Sequence, residues 1–469
     1  MPCTNMSSKI FESPRSSQPF SAALLDRLRR LHPKSIDLSL ERVERLLDAL
    51  GRPEQRLPPV VHVAGTNGKG SVVAFLRSVA EALGKRAHVY TSPHLVDFHE
   101  RIVIGDMHGG APISEDLLVD CLIRTEVAND GQQITLFEIT TVAALLAFAE
   151  SPADIVLLET GLGGRLDATN VVANPAATVI TSISLDHIAF LGDTVQAIAA
   201  EKAGILKPGT PCVVARQNEN VLPVIEARAR EIGAPLIVSD RDFTAYEQRG
   251  RLIFENGQTQ LILPLPSLKG RHQIYNAAAA VAAAQVVFDA ELSNRALGEG
   301  LATAQWPARM ERLGYGSLHN YVDDATEIWL DGGHNPAGAE VVADAIKDLN
   351  WQRSGPVHLI WGMMEGKDAH AVIGAFRGLV DHVYTVPVPD EPGAFEPEAL
   401  AEIARASGFA ATVGYGLRHA LLLSNASARR PANVLICGSL YLAGHVLKLH
   451  HDRDDVRGAS GVHPLAAHR

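Results

Sequence analysis

The sequence predicts an α/β protein: a large phosphate-binding domain on a mainly parallel sheet, followed by a smaller Rossmann-like domain. Three observations lead there. Short β-branched runs (VVHVAG, HVYTS, DIVLLET, ATVITSIS, PCVVA, PLIVS) alternate with helical patterns, the signature of a parallel sheet covered by helices. The first of these runs passes through a glycine-rich turn bearing a lysine, VVHVAGTNGKGS from Val60 to Ser71, straight into the helix-like VVAFLRSVAEALG. A second alternation, EIWLDGG, PVHLIWGM, HVYTVPV and PANVLICGS, begins after Trp306.

A chain of 469 residues, 46% of them hydrophobic and 20% charged, can bury a large core divided between domains. Its first twenty residues, 1–20, lack an apolar segment and read as a disordered end, as does the tail 451–469. Between them we expect an ATPase domain over 21–305, a linker over 306–314 and a C-terminal domain over 315–450. A ligand cleft belongs between the two domains, at the C-terminal ends of the strands.

The formal charge of −11, with no long basic run, argues against nucleic acid and for small anionic substrates met by local cations. Cys3, Cys121, Cys212 and Cys437 are far apart and form no C-x-x-C pair, so neither a disulfide framework nor a thiolate metal site is expected. That usage fits a reducing cytoplasm. The alanine-rich run Ala277 to Ala284 is far too short to span a membrane.

The glycine turn is the first functional element. A strand, a glycine loop and a helix N-terminus aim backbone N–H groups at phosphate, with Lys69 adding a point charge. Thr66, Asn67, Gly68, Lys69, Gly70 and Ser71 are therefore expected around a nucleotide's phosphates. Glu159 ends the apolar run DIVLLE, which puts a carboxylate beside those phosphates, where Mg²⁺ needs oxygen ligands. By phosphate-loop logic alone the matching hydroxyl is Ser71.

Five further strings stand in order along the chain: TSPHL from Thr91, ETGLGGRLDATN from Glu159, Asp186–His187, EKAGILKPG from Glu201, and DGGHNPAG from Asp331. Together with the glycine loop they resemble folylpolyglutamate synthase and dihydrofolate synthase of the Mur ligase superfamily, from about Ser35 to Leu447. The resemblance implies a Mur-ligase-type ATPase domain and C-terminal domain, and moves the metal-binding hydroxyl from Ser71 to Ser92. It assigns His187 to a second Mg²⁺ and makes Lys202 a carbamylated lysine, an anion able to help hold that metal where a cation would repel it. It implies Asn276, Arg309, Asp331 and His334 as nucleotide contacts from both domains, with Arg309 neutralising charge on the transferring phosphoryl group. WPARME has alanine where the family tends to have glycine, and DGGHN has glycine where alanine is usual.

KSIDLSLERV resembles the stretch that bifunctional members use for dihydropteroate, which implies Asp37, Leu38, Ser39 and Leu40 as substrate contacts. Thr135, Leu136 and Phe137, with Leu166 and Asp167, match other parts of that pocket. Taken as residues alone, the leucines serve equally as core. The implied reaction is ATP-dependent addition of L-glutamate to dihydropteroate and to reduced folates through an acyl phosphate, by a cytoplasmic monomer using two Mg²⁺, with room for a monovalent cation. The alternatives are a monofunctional folate ligase, a Mur-type ligase acting on another carboxylate, and a non-catalytic nucleotide sensor.

Overall fold

The computed structural model describes residues 19–32, 36–257, 259–349, 351 and 355–452. The expectations of disorder over 1–18 and 453–469 lie outside the described residues. The helix Phe20–Leu28 begins inside the first expected end, and the helix Leu440–His451 runs one residue into the second.

Eight strands form the first sheet: β1 Val60–Ala64, β2 Ala87–Tyr90, β3 Ile102–Ile104, β4 Ala111–Pro112, β5 Ile155–Glu159, β6 Ala177–Ile180, β7 Cys212–Val214 and β8 Leu236–Val238. Their spatial order is β4-β3-β2-β5-β1-β6-β7-β8, parallel except for β3 and β4 at one edge. β1 and β5 are buried along their whole length, as expected of β-branched runs covered on both faces. Pairing sets Val63 opposite Glu159, Ala64 opposite Ile180 and Tyr90 opposite Leu158. The loops after β1, β2, β5 and β6 therefore leave one edge of the sheet side by side.

The helix Lys69–Ala82 packs between the helices His272–Phe288 and Asn294–Thr303 on one face. The residues Ala277 to Ala284 are buried throughout, small side chains that let the helix backbone approach its neighbours closely. The helices Phe20–Leu28, Glu41–Ala49, Glu115–Asn129 and Leu136–Glu150 build the opposite face. A separate antiparallel sheet of β9 Thr244–Gln248, β10 Arg251–Glu255 and β11 Gln260–Pro264 stacks Phe254 on Phe243, with ring centroids 5.6 Å apart.

The second sheet comprises β12 Glu311–Arg312, β13 Glu327–Leu330, β14 Val357–Trp361, β15 His382–Thr385, β16 Ala411–Val413 and β17 Asn433–Cys437, ordered β12-β13-β17-β14-β15-β16. All pairs are parallel except β12 with β13. The segment expected as linker is thus already structure: β12 is an edge strand, and Ala308, Met310 and Leu313 are buried in the C-terminal core. Only the residues from about Trp306 to Met310 connect the domains without pairing in a sheet. No helix among the described residues is long and apolar enough to cross a membrane.

Candidate active site

A cavity of about 980 Å³ opens where the loops after β1, β2, β5 and β6 face the C-terminal domain. The phosphate loop forms its floor. The backbone N–H groups of Thr66 and Asn67 donate to Ser182 O at 2.9 and 3.2 Å, and Thr66 Oγ1 exchanges hydrogen bonds with Ser184 O and N, each 3.1 Å. Gly68 caps the helix Lys69–Ala82 at φ 92°, and a Cβ there would lie 2.5 Å from Asn276 Oδ1. Gly70 is equally constrained, because a Cβ would meet the Trp306 ring at 2.5 Å. These two glycines let the loop touch the helix His272–Phe288 and the hinge at once. Lys69 Nζ donates to Gly65 O at 3.0 Å and Thr66 O at 3.3 Å, and lies 4.0 Å from Glu159 Oε1.

Glu159 is 5% exposed at the end of β5. Burial pushes its carboxyl above the usual range against the pull of Lys69, so its charge is incompletely neutralised inside the fold. Ser92 sits beside it, its N–H 3.4 Å from Glu159 Oε2. His187 holds a left-handed conformation, φ 50°, and burial lowers its imidazole to about 4, leaving it neutral at pH 7. Lys202, 5% exposed, donates from Nζ to Gly65 O at 2.8 Å. Burial first, and Lys69 second, bring its ammonium down to about 7.

Among the described residues there is no cluster of three His, Cys, Asp or Glu that would cage a metal alone. A hydroxyl, a buried under-neutralised carboxylate and a neutral imidazole beside a phosphate loop instead suit an ion that completes its shell from phosphate and water. That is how Mg²⁺ is usually held, so these residues fit it.

The hinge supplies the roof. Ala308 and Met310 both have positive φ, 56° and 43°, and the residue between them, Arg309, lines the cavity. Ala308 stands where the resembled family tends to have glycine, and a left-handed alanine costs about 1 kcal/mol. Two carboxylates hold this bend: Glu311 Oε2 accepts from Ala308 N at 2.9 Å, and Asp331 Oδ2 accepts from Met310 N at 2.8 Å. Asp331 Oδ1 accepts from Gly333 N at 2.6 Å, so this residue shapes the backbone around Arg309 as well as lining the cavity. His334 Nδ1 lies 3.0 Å from Gly332 O, with Nε2 3.4 Å from Asp186 Oδ2.

Of the residues implied for the second substrate, Asp37, Leu38, Thr135, Leu136, Phe137, Leu166 and Asp167 line the cavity. Ser39 and Leu40 do not; Ser39 Oγ turns to the Glu41 carboxylate and Leu40 precedes the helix Glu41–Ala49. Three of the lining residues have structural partners. Asp37 Oδ2 accepts from Arg42 Nη1 at 3.0 Å. Thr135 caps the helix Leu136–Glu150 reciprocally with Glu138, and buried Asp167 accepts from Leu162 N at 2.7 Å and Thr169 N at 3.0 Å, holding the GLGG loop. Ser71 is buried and takes a hydrogen bond from Gln273 Nε2 at 3.3 Å.

The sequence reading missed a polar latch between the domains. Asp186 accepts from Asn335 Nδ2 at 3.0 Å and from Lys367 Nζ, with His334 close by, all three from the C-terminal domain. Burial works against its charge, yet these neighbours and His187 outweigh it and hold the carboxyl far below its usual range. Asn335 also exchanges amide hydrogen bonds of 3.1 and 3.2 Å with Asn67 of the phosphate loop. The DH and HNP strings mark two of the partners, but nothing local couples Asp186 to Lys367. We expect Asp186→Asn to lower kcat/KM about tenfold to a hundredfold, because it leaves a half-buried lysine without its anion. Small-angle X-ray scattering should show a larger radius of gyration. An unchanged radius with unchanged kinetics would remove the latch.

A second groove, about 1150 Å³, lies behind the hinge between Lys269, Trp329 and Arg430 and shares Arg309 with the site, but none of the metal-site candidates.

This arrangement agrees with what the chain resembles. Residues 63–284 match the Mur ligase middle domain and residues 308–440 the Mur ligase, glutamate ligase domain. The dihydrofolate synthase/folylpolyglutamate synthase of Escherichia coli (strain K12) is 34% identical over 450 residues, 94% of this chain and 97% of that protein. The solved E. coli FolC in complex with DHPP and ADP superposes with a TM-score of 0.82 at 32% identity, covering 95% of this chain and all of the other. A bifunctional folylpolyglutamate synthase/dihydrofolate synthase with Mn, AMPPNP and L-glutamate bound gives 0.80 at 32% identity, over 94% of this chain and 100% of that one. With both domains matched and the likeness running nearly end to end, the chain belongs to the dihydrofolate synthase/folylpolyglutamate synthase family of Mur-type ligases.

Proposed function

We propose that this protein is an ATP-dependent ligase that joins L-glutamate to dihydropteroate and to reduced folates through an acyl phosphate. The observation that carries the reading is the convergence of Lys69, Glu159, Lys202 and Arg309 on one cavity lined by both domains. Relatives holding ADP, or AMPPNP with Mn and L-glutamate, support ATP and a divalent metal as its requirements.

In the first step the acceptor carboxylate attacks the γ-phosphorus and the bond to ADP breaks. In the second the amine of glutamate attacks the acyl carbon, phosphate leaves, and a proton is lost. Little covalent work falls to the protein, so its task is positioning and charge stabilisation. The first-turn N–H groups of the helix Lys69–Ala82 and the Lys69 ammonium hold the β- and γ-phosphates on this reading, and Lys69 must exchange its loop carbonyls for them. Arg309 is aimed from the hinge at the charge that develops on the transferring phosphoryl group. One Mg²⁺ held by Ser92 and Glu159, and a second held by His187 with the Lys202 carbamate, would supply Lewis-acid stabilisation of those oxygens.

Lys202 is carbamylated on this reading. Its amine is about half neutral near pH 7, the form that attacks CO₂ and loses a proton, and the resulting anion replaces a cation that Lys69 already repels. The reading also makes the protein a cytoplasmic monomer of 50.2 kDa.

The test is ADP release by the purified protein with ATP, Mg²⁺ and L-glutamate, comparing dihydropteroate, tetrahydrofolate and no acceptor. Glutamate-dependent release is expected with both acceptors. Release with one would make the enzyme monofunctional, and release with neither would sink the folate ligase reading. A sensor would need a lost site residue, and Lys69, Ser92, Glu159, His187, Lys202, Arg309 and Asp331 all line the cavity.

A further inference from the structure

One part of the cavity wall carries two arginines, Arg29 and Arg101, and among the described residues Arg101 has no ion pair. Arg101 is half-buried there, its Nε donating to His94 Nδ1 at 2.8 Å and its guanidinium 5.2 Å from the Phe98 ring centroid. Among the described residues no carboxylate stands within ion-pair distance of Arg101, and its terminal nitrogens make no hydrogen bond. The His94 nitrogen that Arg101 meets accepts that hydrogen bond, so His94 acts there as an acceptor and not as a counter-charge.

Arg29, in the turn Arg29–Leu31, lines the same cavity. Its ion pair is a solvent-exposed contact with Asp26 at 3.6 Å. Glu391, on the C-terminal side, feels Arg29 but forms no ion pair with it among the described residues. Burial lowers Arg101, and Arg29 lowers it further, as expected of two cations sharing one wall.

We propose that Arg29 and Arg101 form a carboxylate subsite for the glutamyl tail of an acceptor that already carries glutamate, and that Arg29 sets the preference for such acceptors over dihydropteroate. The inference rests on the ligase reading. Dihydropteroate has one carboxylate, which must lie at Lys69 and Arg309 to be activated. A glutamylated acceptor brings at least one more, left over for a second cationic site. Guanidinium forks match a carboxylate bidentately. Arg101 is fixed by His94 and Phe98, whereas Arg29 is exposed and free to follow tails of different length.

The incoming L-glutamate is the other source of a spare carboxylate, and kinetics separate the two. The experiment measures kcat/KM for dihydropteroate and for tetrahydrofolate mono- and diglutamate with full-length wild type, Arg29→Gln and Arg29→Lys. In Arg29→Gln the ratio of diglutamate to dihydropteroate kcat/KM should fall about tenfold, through KM, and Arg29→Lys should recover most of it. An unchanged ratio in an active enzyme overturns the inference alone. A rise in the KM for L-glutamate that is equal with every acceptor also overturns it, since the arginines would then serve the incoming amino acid. Wild type inactive with every acceptor overturns the ligase reading and this inference together.

Discussion

Lys202→Ala should reduce turnover about a thousandfold while ATP still binds, with its dissociation constant changed less than threefold. The effect is large because Lys202 lies within the site, with Nζ 2.8 Å from Gly65 O beneath the phosphate loop. Truncation removes the carbamate proposed to help hold the second metal, but none of the backbone groups that grip the phosphates. Calorimetric titration with a non-hydrolysable ATP analogue reads binding, and ADP release reads turnover. The chemistry adds a pH signature. Below pH 7 the amine is protonated and cannot take up CO₂; above it the neutral form dominates, since burial has brought the group to about 7. Enzyme stripped of CO₂ should therefore regain activity on adding bicarbonate faster at pH 8 than at pH 6. Undiminished turnover in the variant, or recovery independent of bicarbonate, would remove the carbamate.

Glu159→Gln should raise the Mg²⁺ concentration for half-maximal activity at least about tenfold at fixed ATP, consistent with the loss of one ligand from a site of few. The same substitution should not lower the melting temperature. Burial raises the Glu159 carboxyl, so the folded state holds its proton to higher pH than the unfolded chain does. Between those two values stability falls as pH rises, and at neutral pH the ionised carboxylate is a net cost that glutamine lacks. Activity and stability would then move apart, as expected of a group kept for its charge. A Mg²⁺ profile matching wild type would exclude Glu159 from the metal site, and a large drop in melting temperature would make it a structural ion-pair partner of Lys69.

The ten strands expected from β-branched runs all formed, because all but the edge strand β8 are largely buried and β-branching suits that environment. The strands that went unread are four short ones and the separate three-stranded sheet β9–β11: β3, β4, β12 and β16 have two or three residues, too few to carry a period. The β9–β10 turn places Arg249 and Gly250 at positive φ, without the Asn-Gly pair that announces such a turn. In the site, the phosphate loop and Glu159 were legible because each belongs to a local string at a strand end, and Lys202 because it ends the helix Val195–Lys202 inside the string EKAGILKPG. Lys367 was not, since its partner Asp186 is 181 residues away and charge alone does not encode a distant pair. Thr135 and Asp167 were found for their position, and their hydrogen bonds add a scaffolding role that sequence spacing does not separate from contact with a ligand.

β12 joins the C-terminal sheet immediately after the hinge, with Glu311 opposite Leu330 and Arg312 opposite Trp329. A residue inserted or deleted between Trp306 and Glu311 would leave two outcomes. The strand could slip, turning each of its side chains to the other face of the sheet, or the bend could absorb the change and re-aim Arg309. Neither keeps the guanidinium where it is, whichever amino acid is added. Most loops tolerate changes of length better than changes of conformation; in this connector the number of residues is itself part of the cavity's geometry.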